Sequence, residues 1–274
     1  MVEVAYRDIV ASGVRVRVSE RGEGPPVVLL HDVLFDHSTW NATAQSLAQS
    51  HHVVAPDLPG FGESEKPPPS RFPYTVDAFT EALADLYAGL GLGRAALVGH
   101  GLGGAVALTL AARHAELVSR LVLIDTPCYA TPLTLEQRVA GLPLLGGLVF
   151  KQLFNRVSFR TFFRSRLLSR GAPTKALDRI DYYYDQFNSP AARGSALATL
   201  RATSDTRNIV ARTSRVRSPT LVLWGRQDRL VPAALGQRLS KEIHGAGFEL
   251  VDAGHTPQEE QPERTAQAIS SFLA

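Results

Sequence analysis

The run Gly99-His100-Gly101-Leu102-Gly103-Gly104 belongs to a backbone that turns sharply and passes close to other groups. It follows an apolar run at 95–98 and opens a helical pattern at 102–114. Two chemistries fit it. Read as G-x-G-x-x-G, with Asp125 twenty-one residues after Gly104, it would seat a dinucleotide pyrophosphate on a helix N-terminus and a ribose on the carboxylate. Read as G-x-S-x-G with one change, it is a tight strand-to-helix turn that lifts a nucleophile above a sheet. Its central residue, Gly101, then has no side chain with which to form a covalent intermediate. His31, Asp32, Asp36 and His37 offer metal-ligand types, but their spacing fits no metal signature, and no metal is expected. Cys128 has no neighbour in sequence that would lower its pKa, so it reads as a small hydrophobe.

The elements that must position these residues alternate along the chain. Val14, Val16 and Val18 point one way and Arg15, Arg17 and Ser19 the other, the period of a half-buried strand. Short apolar runs at 27–30, 52–55, 95–98, 121–124, 220–223 and 248–251 suit buried strands. Helical patterns at 40–49, 76–90, 102–114, 233–243 and 262–273 lie among them, with Pro232 and Pro262 where a first helical turn tolerates proline. Strands alternating with helices predict an α/β fold with a mostly parallel sheet covered on both faces. The segment 127–218 breaks this rhythm. It carries no buried-strand run and reads as short helices punctuated by Gly146-Gly147, Gly171, Pro173 and Pro190. An insertion of about ninety residues exceeds any ordinary connection.

The surrounding segments choose between the two readings of the glycine run. Val27 to His31, then Pro56-Asp57-Leu58-Pro59-Gly60-Phe61-Gly62-Glu63-Ser64, the 99–104 turn, Trp224-Gly225-Arg226-Gln227-Asp228-Arg229-Leu230-Val231-Pro232, and Ala253-Gly254-His255-Thr256-Pro257-Gln258-Glu259-Glu260-Gln261-Pro262-Glu263 follow in order. Together they resemble the α/β-hydrolase superfamily, in its epoxide-hydrolase-like and esterase-like branch with a helical cap, over about residues 20–274. The resemblance implies a core at 1–127 and 215–274 and a cap at 128–214. It assigns Asp228 as the triad acid and His255 as the general base, Asp228 fixing the imidazole tautomer so that the other nitrogen takes a proton. It makes the backbone N–H groups of Val33 and Leu102 the oxyanion-hole donors, with Asp32 and His100 lining the pocket. Asp125 could serve as a second acid, though a strand-end polar residue is the plainer reading.

Two positions depart from the pattern. Gly101 stands where active relatives carry Ser, Asp or Cys, and Asp32 stands where the family has glycine after His31. Asp32 has three options: to face the oxyanion hole, to turn to solvent, or to help bind a proton. A missing side chain at 101 should leave room for about one water. Three functions remain open. The first is an enzyme that acts on a small organic molecule through His255 and Asp228 by water activation or proton-transfer chemistry. The second is a non-catalytic binding protein on a hydrolase scaffold. The third is a serine hydrolase altered at position 101.

Composition bounds the partners. The chain has 274 residues, 45% of them hydrophobic and 20% charged, with one cysteine and a formal net charge of +3. These values exclude a disordered chain, a disulfide framework and a strongly basic nucleic-acid binder. The near-neutral sum hides a contrast: 127–218 holds 15 Lys and Arg against 5 Asp and Glu. That basic face either solvates the helices and holds them to an acidic core, or steers an acidic ligand. The N-terminal residues lack a signal-peptide core, and the apolar stretch 141–150 is too short to span a membrane. A soluble cytoplasmic protein is expected, without cofactor, with a small-molecule ligand, no nucleic-acid or membrane partner, and a homodimer as one option.

Overall fold

A computed structural model of the chain describes residues 2–130 and 154–274. The apolar stretch 141–150 and the Gly146-Gly147 pair lie outside the described residues, as does part of the expected cap.

Eight strands form one sheet in the order β1-β2-β4-β3-β5-β6-β7-β8. They are β1 Ala5–Ala11, β2 Val14–Arg21, β3 Pro26–Leu30, β4 His52–Pro56, β5 Ala95–His100, β6 Val118–Ile124, β7 Thr220–Gly225 and β8 Gly247–Val251. The pairs β1/β2 and β2/β4 are antiparallel, and the remaining neighbours are parallel. The alternation at Val14, Val16 and Val18 is realised in β2, whose valines are buried while Arg15 faces out. In β5 every residue is buried, as a central parallel strand covered on both faces requires.

Helices cover both faces. On one side α2 (Val76–Leu90), α3 (Leu102–Arg113) and the helix Ala233–Glu242 bury Phe79, Leu83, Val106, Leu110 and Leu239. On the other, α1 (Asn41–Leu47) and the helix Pro262–Leu273 bury Ala44, Leu47, Ala268 and Ile269 against Leu29, Val98 and Leu223. Each fully buried leucine contributes roughly 2 kcal/mol of apolar burial, so the sandwich supplies a rigid base for the strand ends. The Thr75 hydroxyl accepts from the Ala78 N–H to start α2, and Gly91 at φ 66° ends it in a left-handed cap.

Between β6 and β7 the described chain is helical, with Arg156–Phe162, Thr174–Phe187, Pro190–Ala202 and Arg207–Val210. Part of its positive charge is spent internally: Arg156 pairs with Asp181 and Asp185, and Arg160 with Asp181. Two pairs cross to the sheet layer, Arg179 to Glu259 at 3.0 Å and Arg212 to Asp77 at 2.9 Å. Of the tyrosine triplet, Tyr183 and Tyr184 are buried and Tyr182 is exposed, the facing that helix geometry allows. The Tyr183 hydroxyl donates to Glu259. No helix among the described residues is long and apolar enough to cross a membrane.

Candidate active site

Five strand ends converge at the carboxyl edge of the sheet, where an open parallel sheet offers a crevice. β3 leads into His31-Asp32, β5 into His100-Gly101-Leu102, β6 into Asp125, β7 into Asp228 and β8 into His255. Gly101 begins α3 with φ 54° and ψ −118°, a conformation costly for any residue with a side chain. Its N–H donates to the Ile124 carbonyl at 3.0 Å, which fixes the turn to the neighbouring strand.

Asp228 and His255 meet. The ring Nδ1 lies 2.7 Å from Asp228 Oδ2, and the other Asp228 oxygen accepts from the N–H groups of Leu230 and Val231 at 2.7 and 2.9 Å. Trp224 anchors this loop: it is fully buried, donates from Nε1 to the Val231 carbonyl at 2.8 Å, and packs so closely on Gly236 that a Cβ there would approach the ring to 2.3 Å. The His255 backbone is held from two sides. Its N–H donates to the Leu167 carbonyl at 2.6 Å, and its carbonyl accepts from His100 Nε2 at 2.6 Å. His100 Nδ1 in turn accepts from the Gln258 amide at 3.0 Å, so both nitrogens of His100 are engaged and its neutral tautomer is set. Burial, with the charge on His255 adding to it, lowers the His100 pKa to about 4.

Asp32 faces the oxyanion hole and also helps hold a proton on His255, the first and third of its options. Its Oδ1 accepts from the Leu102 N–H at 2.6 Å, and its Oδ2 lies 3.2 Å from His255 Nε2. A Cβ built on Gly101 would stand 2.0 Å from Asp32 Cγ. The carboxylate therefore fills the space a side chain at 101 would use, entering from β3 instead of β5. This corrects the expectation that the vacated space holds a water. It also changes the place of Leu102: its N–H, expected to be free for an oxyanion, is bonded to a carboxylate already present. Val33, the other expected donor, follows Asp32 and packs partly buried against the main core. His31 supports this loop, accepting from the Leu58 N–H at Nε2 and donating from Nδ1 to the Asp32 carbonyl, each at 2.8 Å.

The charges follow from these contacts. Burial disfavours an imidazolium at His255, but two carboxylates, Asp228 and Asp32, outweigh it and hold its pKa well above the usual value. Burial likewise opposes ionisation of Asp32, yet the His255 hydrogen bond and the Leu102 N–H bring its pKa below the usual carboxylate range. Asp228 and Asp32, one at each ring nitrogen, thus both favour the charged form of His255. Asp125, fully buried beside Asp228, is pushed well above the usual carboxylate range by burial and by that neighbour's charge. Its Oδ1 accepts from the Gly225 N–H at 2.9 Å. An interior, inward-bonded Asp125 cannot reach a ribose, and the anion-binding end of α3 is occupied by Asp32, so the dinucleotide reading fails on both of its parts.

Other candidates resolve locally. Cys128 is buried and burial raises its thiol pKa, as a structural cysteine requires. Asp36, His37 and Asp57 come together, and Asp57 accepts from the His37 N–H, at 2.7 Å, and from the Glu63 N–H while facing His37 Nδ1 at 2.7 Å. One residue of the His255 motif has a role that the sequence alone does not assign. Glu260, buried at 4% exposure, accepts from the Gly254 N–H at 2.8 Å and from the Ser169 N–H at 2.9 Å. It ties the His255 loop to the helical segment.

The family model of the alpha/beta hydrolase fold matches residues 25–262. 2-Hydroxymuconate semialdehyde hydrolase of a Pseudomonas species is 28% identical over 98% of this chain and 93% of its own length. Haloalkane dehalogenase 2 of Mycobacterium tuberculosis is 29% identical over 93% of this chain and 90% of its own. Among solved structures, the enol-lactonase from Burkholderia xenovorans superposes with a TM-score of 0.85 at 22% identity, covering 97% of this chain and 99% of that one. With the ordered motifs, the eight-stranded sheet and the matched length in hand, the chain belongs to the α/β-hydrolase fold family.

Proposed function

We propose that the protein is an enzyme that acts on a small organic molecule by proton transfer at His255, oriented by Asp228, without a nucleophile at the elbow. One observation carries this reading: a buried His255–Asp228 pair at 2.7 Å whose second nitrogen faces the elbow. With a carboxylate at each ring nitrogen favouring its charged form, His255 is set to give a proton first and take one afterwards, as a general acid and then a base. Relatives named as a hydrolase and a dehalogenase support bond cleavage with water as the reaction class. The oxyanion site is filled by Asp32, which disfavours ordinary acyl transfer, since a carboxylate repels a developing oxyanion. The reading of a serine hydrolase altered at 101 is weakened by the same contact, because a serine would collide with Asp32.

The test is turnover of short acyl esters, aryl epoxides and primary haloalkanes by the wild type and by His255→Ala and Asp228→Asn. Loss of about a hundredfold or more in both variants on the accepted substrate is expected. Unchanged turnover in His255→Ala would refute the proposal.

A further inference from the structure

Asp125 is a buried acid that proton transfer at His255 does not yet use. It follows β6, is 0% exposed, and sits at φ 45°, a left-handed conformation that Asp and Asn adopt more readily than other residues with a side chain. Two bonds fix it to β7: its N–H donates to the Leu223 carbonyl at 3.3 Å, and its Oδ1 accepts from the Gly225 N–H at 2.9 Å. Its second oxygen, Oδ2, is buried and accepts from no N–H or O–H among the described residues. An ionised carboxylate oxygen left in that state is costly. The charged groups that face Asp125 are Asp228, from the loop after β7, and His255, from the loop after β8. A carboxyl oxygen of Asp125, one of Asp228 and a ring nitrogen of His255 all lie within 4.8 Å of one another.

We propose that Asp125 is a protonated carboxylic acid that donates through Oδ2 to the Asp228 carboxylate, and is thereby a positioning residue that sets how tightly His255 holds its proton. Two carboxyl groups packed so closely and so deeply hold one proton between them. Asp228 is the better placed to stay ionised, because Oδ1 accepts from the Leu230 and Val231 N–H groups and Oδ2 faces His255 Nδ1. Asp125 has one N–H donor and one orphaned oxygen, so the proton falls to it and the orphan becomes a donor. Burial, then the Asp228 charge, push the Asp125 carboxyl well above the usual range, against the pull of the His255 charge and the Gly225 N–H.

The consequence lies in what Asp228 does when His255 gives up its Nε2 proton. The ring becomes neutral, and the Asp228 carboxylate loses the cation beside it. A hydrogen bond from Asp125 still holds that negative charge, so release of the proton is easier than it would be for an Asp228 without this donor. Asp125 thus opposes Asp32, whose carboxylate at 3.2 Å favours the charged ring from the other side. The effect on turnover rests on the proton-transfer reading of His255, whereas the proton on Asp125 does not.

The experiment has two arms. In the first, carbon-13 NMR of wild-type protein labelled at the aspartate side-chain carboxyls is recorded at neutral pH. A carboxyl signal in the acid form, absent from Asp125→Asn, is expected. In the second, nitrogen-15 NMR follows the titration midpoint of the His255 ring. Asparagine keeps an oxygen for the Gly225 N–H and an N–H for Asp228, and it fits φ 45°, so the midpoint in Asp125→Asn is expected within about half a unit of the wild type. Asp125→Gly keeps the left-handed backbone and removes the donor, and the lost hydrogen bond to a charged group should raise the midpoint by about one unit or more. A spectrum with no acid-form carboxyl, or a midpoint that falls by about one unit in Asp125→Asn, would show an ionised Asp125 and overturn the proposal. An acid-form Asp125 whose replacement by glycine leaves the midpoint unchanged would overturn the positioning role, since a purely structural residue does the same. If the glycine variant does not fold, the wild-type spectrum and Asp125→Asn decide. Unchanged turnover in His255→Ala refutes proton transfer at His255 and moves neither spectrum, so the two failures are told apart.

Discussion

Replacing Gly101 by serine tests the arrangement at its tightest point. The new Cβ would stand 2.0 Å from Asp32 Cγ and 2.3 and 2.4 Å from its two oxygens, so one side must move. Asp32 gives way by releasing the Leu102 N–H, a charge-assisted bond contributing about 2 kcal/mol. Holding a side chain at φ 54° costs a further 1–2 kcal/mol or so. The sum is a destabilisation of about 3–4 kcal/mol, which lowers Tm by roughly 10 °C in a chain of this size. Denaturant titration and calorimetry measure it directly. The double variant Gly101→Ser with Asp32→Gly should recover about 2 kcal/mol relative to the sum of the single changes, because the collision is then absent. Gly101→Ser alone should not hydrolyse acyl esters, since the displaced Asp32 carboxylate stays beside the oxyanion position and repels a developing negative charge. A Gly101→Ser variant with unchanged Tm and rapid ester hydrolysis would refute the placement of the Asp32 carboxylate.

Further outcomes follow from individual residues. His100 is neutral in the fold, with a pKa lowered from 6.5 to about 4, so its contribution to stability is full above pH 6.5 and is lost as the pH falls through about 4. The loss amounts to about 3 kcal/mol, and denaturation of His100→Gln at neutral and acidic pH should show a flatter dependence than the wild type by about that amount. Glu260→Gln can serve only one of the Gly254 and Ser169 N–H donors with its oxygen, so it should cost about 2 kcal/mol and raise amide exchange at Ser169. Arg179→Met leaves Glu259 buried without its cation, so a loss of about 3 kcal/mol is expected in chemical denaturation.

Much of the fold was legible because buried strands write apolar runs. The stretches 27–30, 52–55, 95–98, 121–124, 220–223 and 248–251 each lie within an observed strand, and 76–90 is a helix over the residues its periodicity marks. β1 was missed for a physical reason. It is an antiparallel edge strand whose residues Tyr6, Arg7, Asp8 and Val10 are exposed, so no apolar signal is demanded of it. Asp228 and His255 were found through ordered motifs, and the structure brings them together. The direction of the Asp32 side chain was not legible, because it depends on a loop that passes through Leu34 at φ 70° and on clamps from His31 and Phe35. Glu260 was hidden in the polar run Gln258-Glu259-Glu260, where nothing in the order of residue types tells a buried carboxylate from a solvated one. The basic segment between β6 and β7 was visible as a sum, whereas its pairing of Arg156 and Arg160 inward and Arg179 and Arg212 across the layers required coordinates.

The central claim is that His255 rests as an imidazolium between Asp228 and Asp32, ready to give a proton. Nitrogen-15 NMR of the histidine side chains, with His255 assigned by its absence in His255→Ala, measures this protonation directly. Protons on both ring nitrogens that persist as the pH rises past 6.5, with the midpoint falling in Asp228→Asn and in Asp32→Asn, are the predicted result. A singly protonated, neutral His255 ring at pH 7 would contradict it.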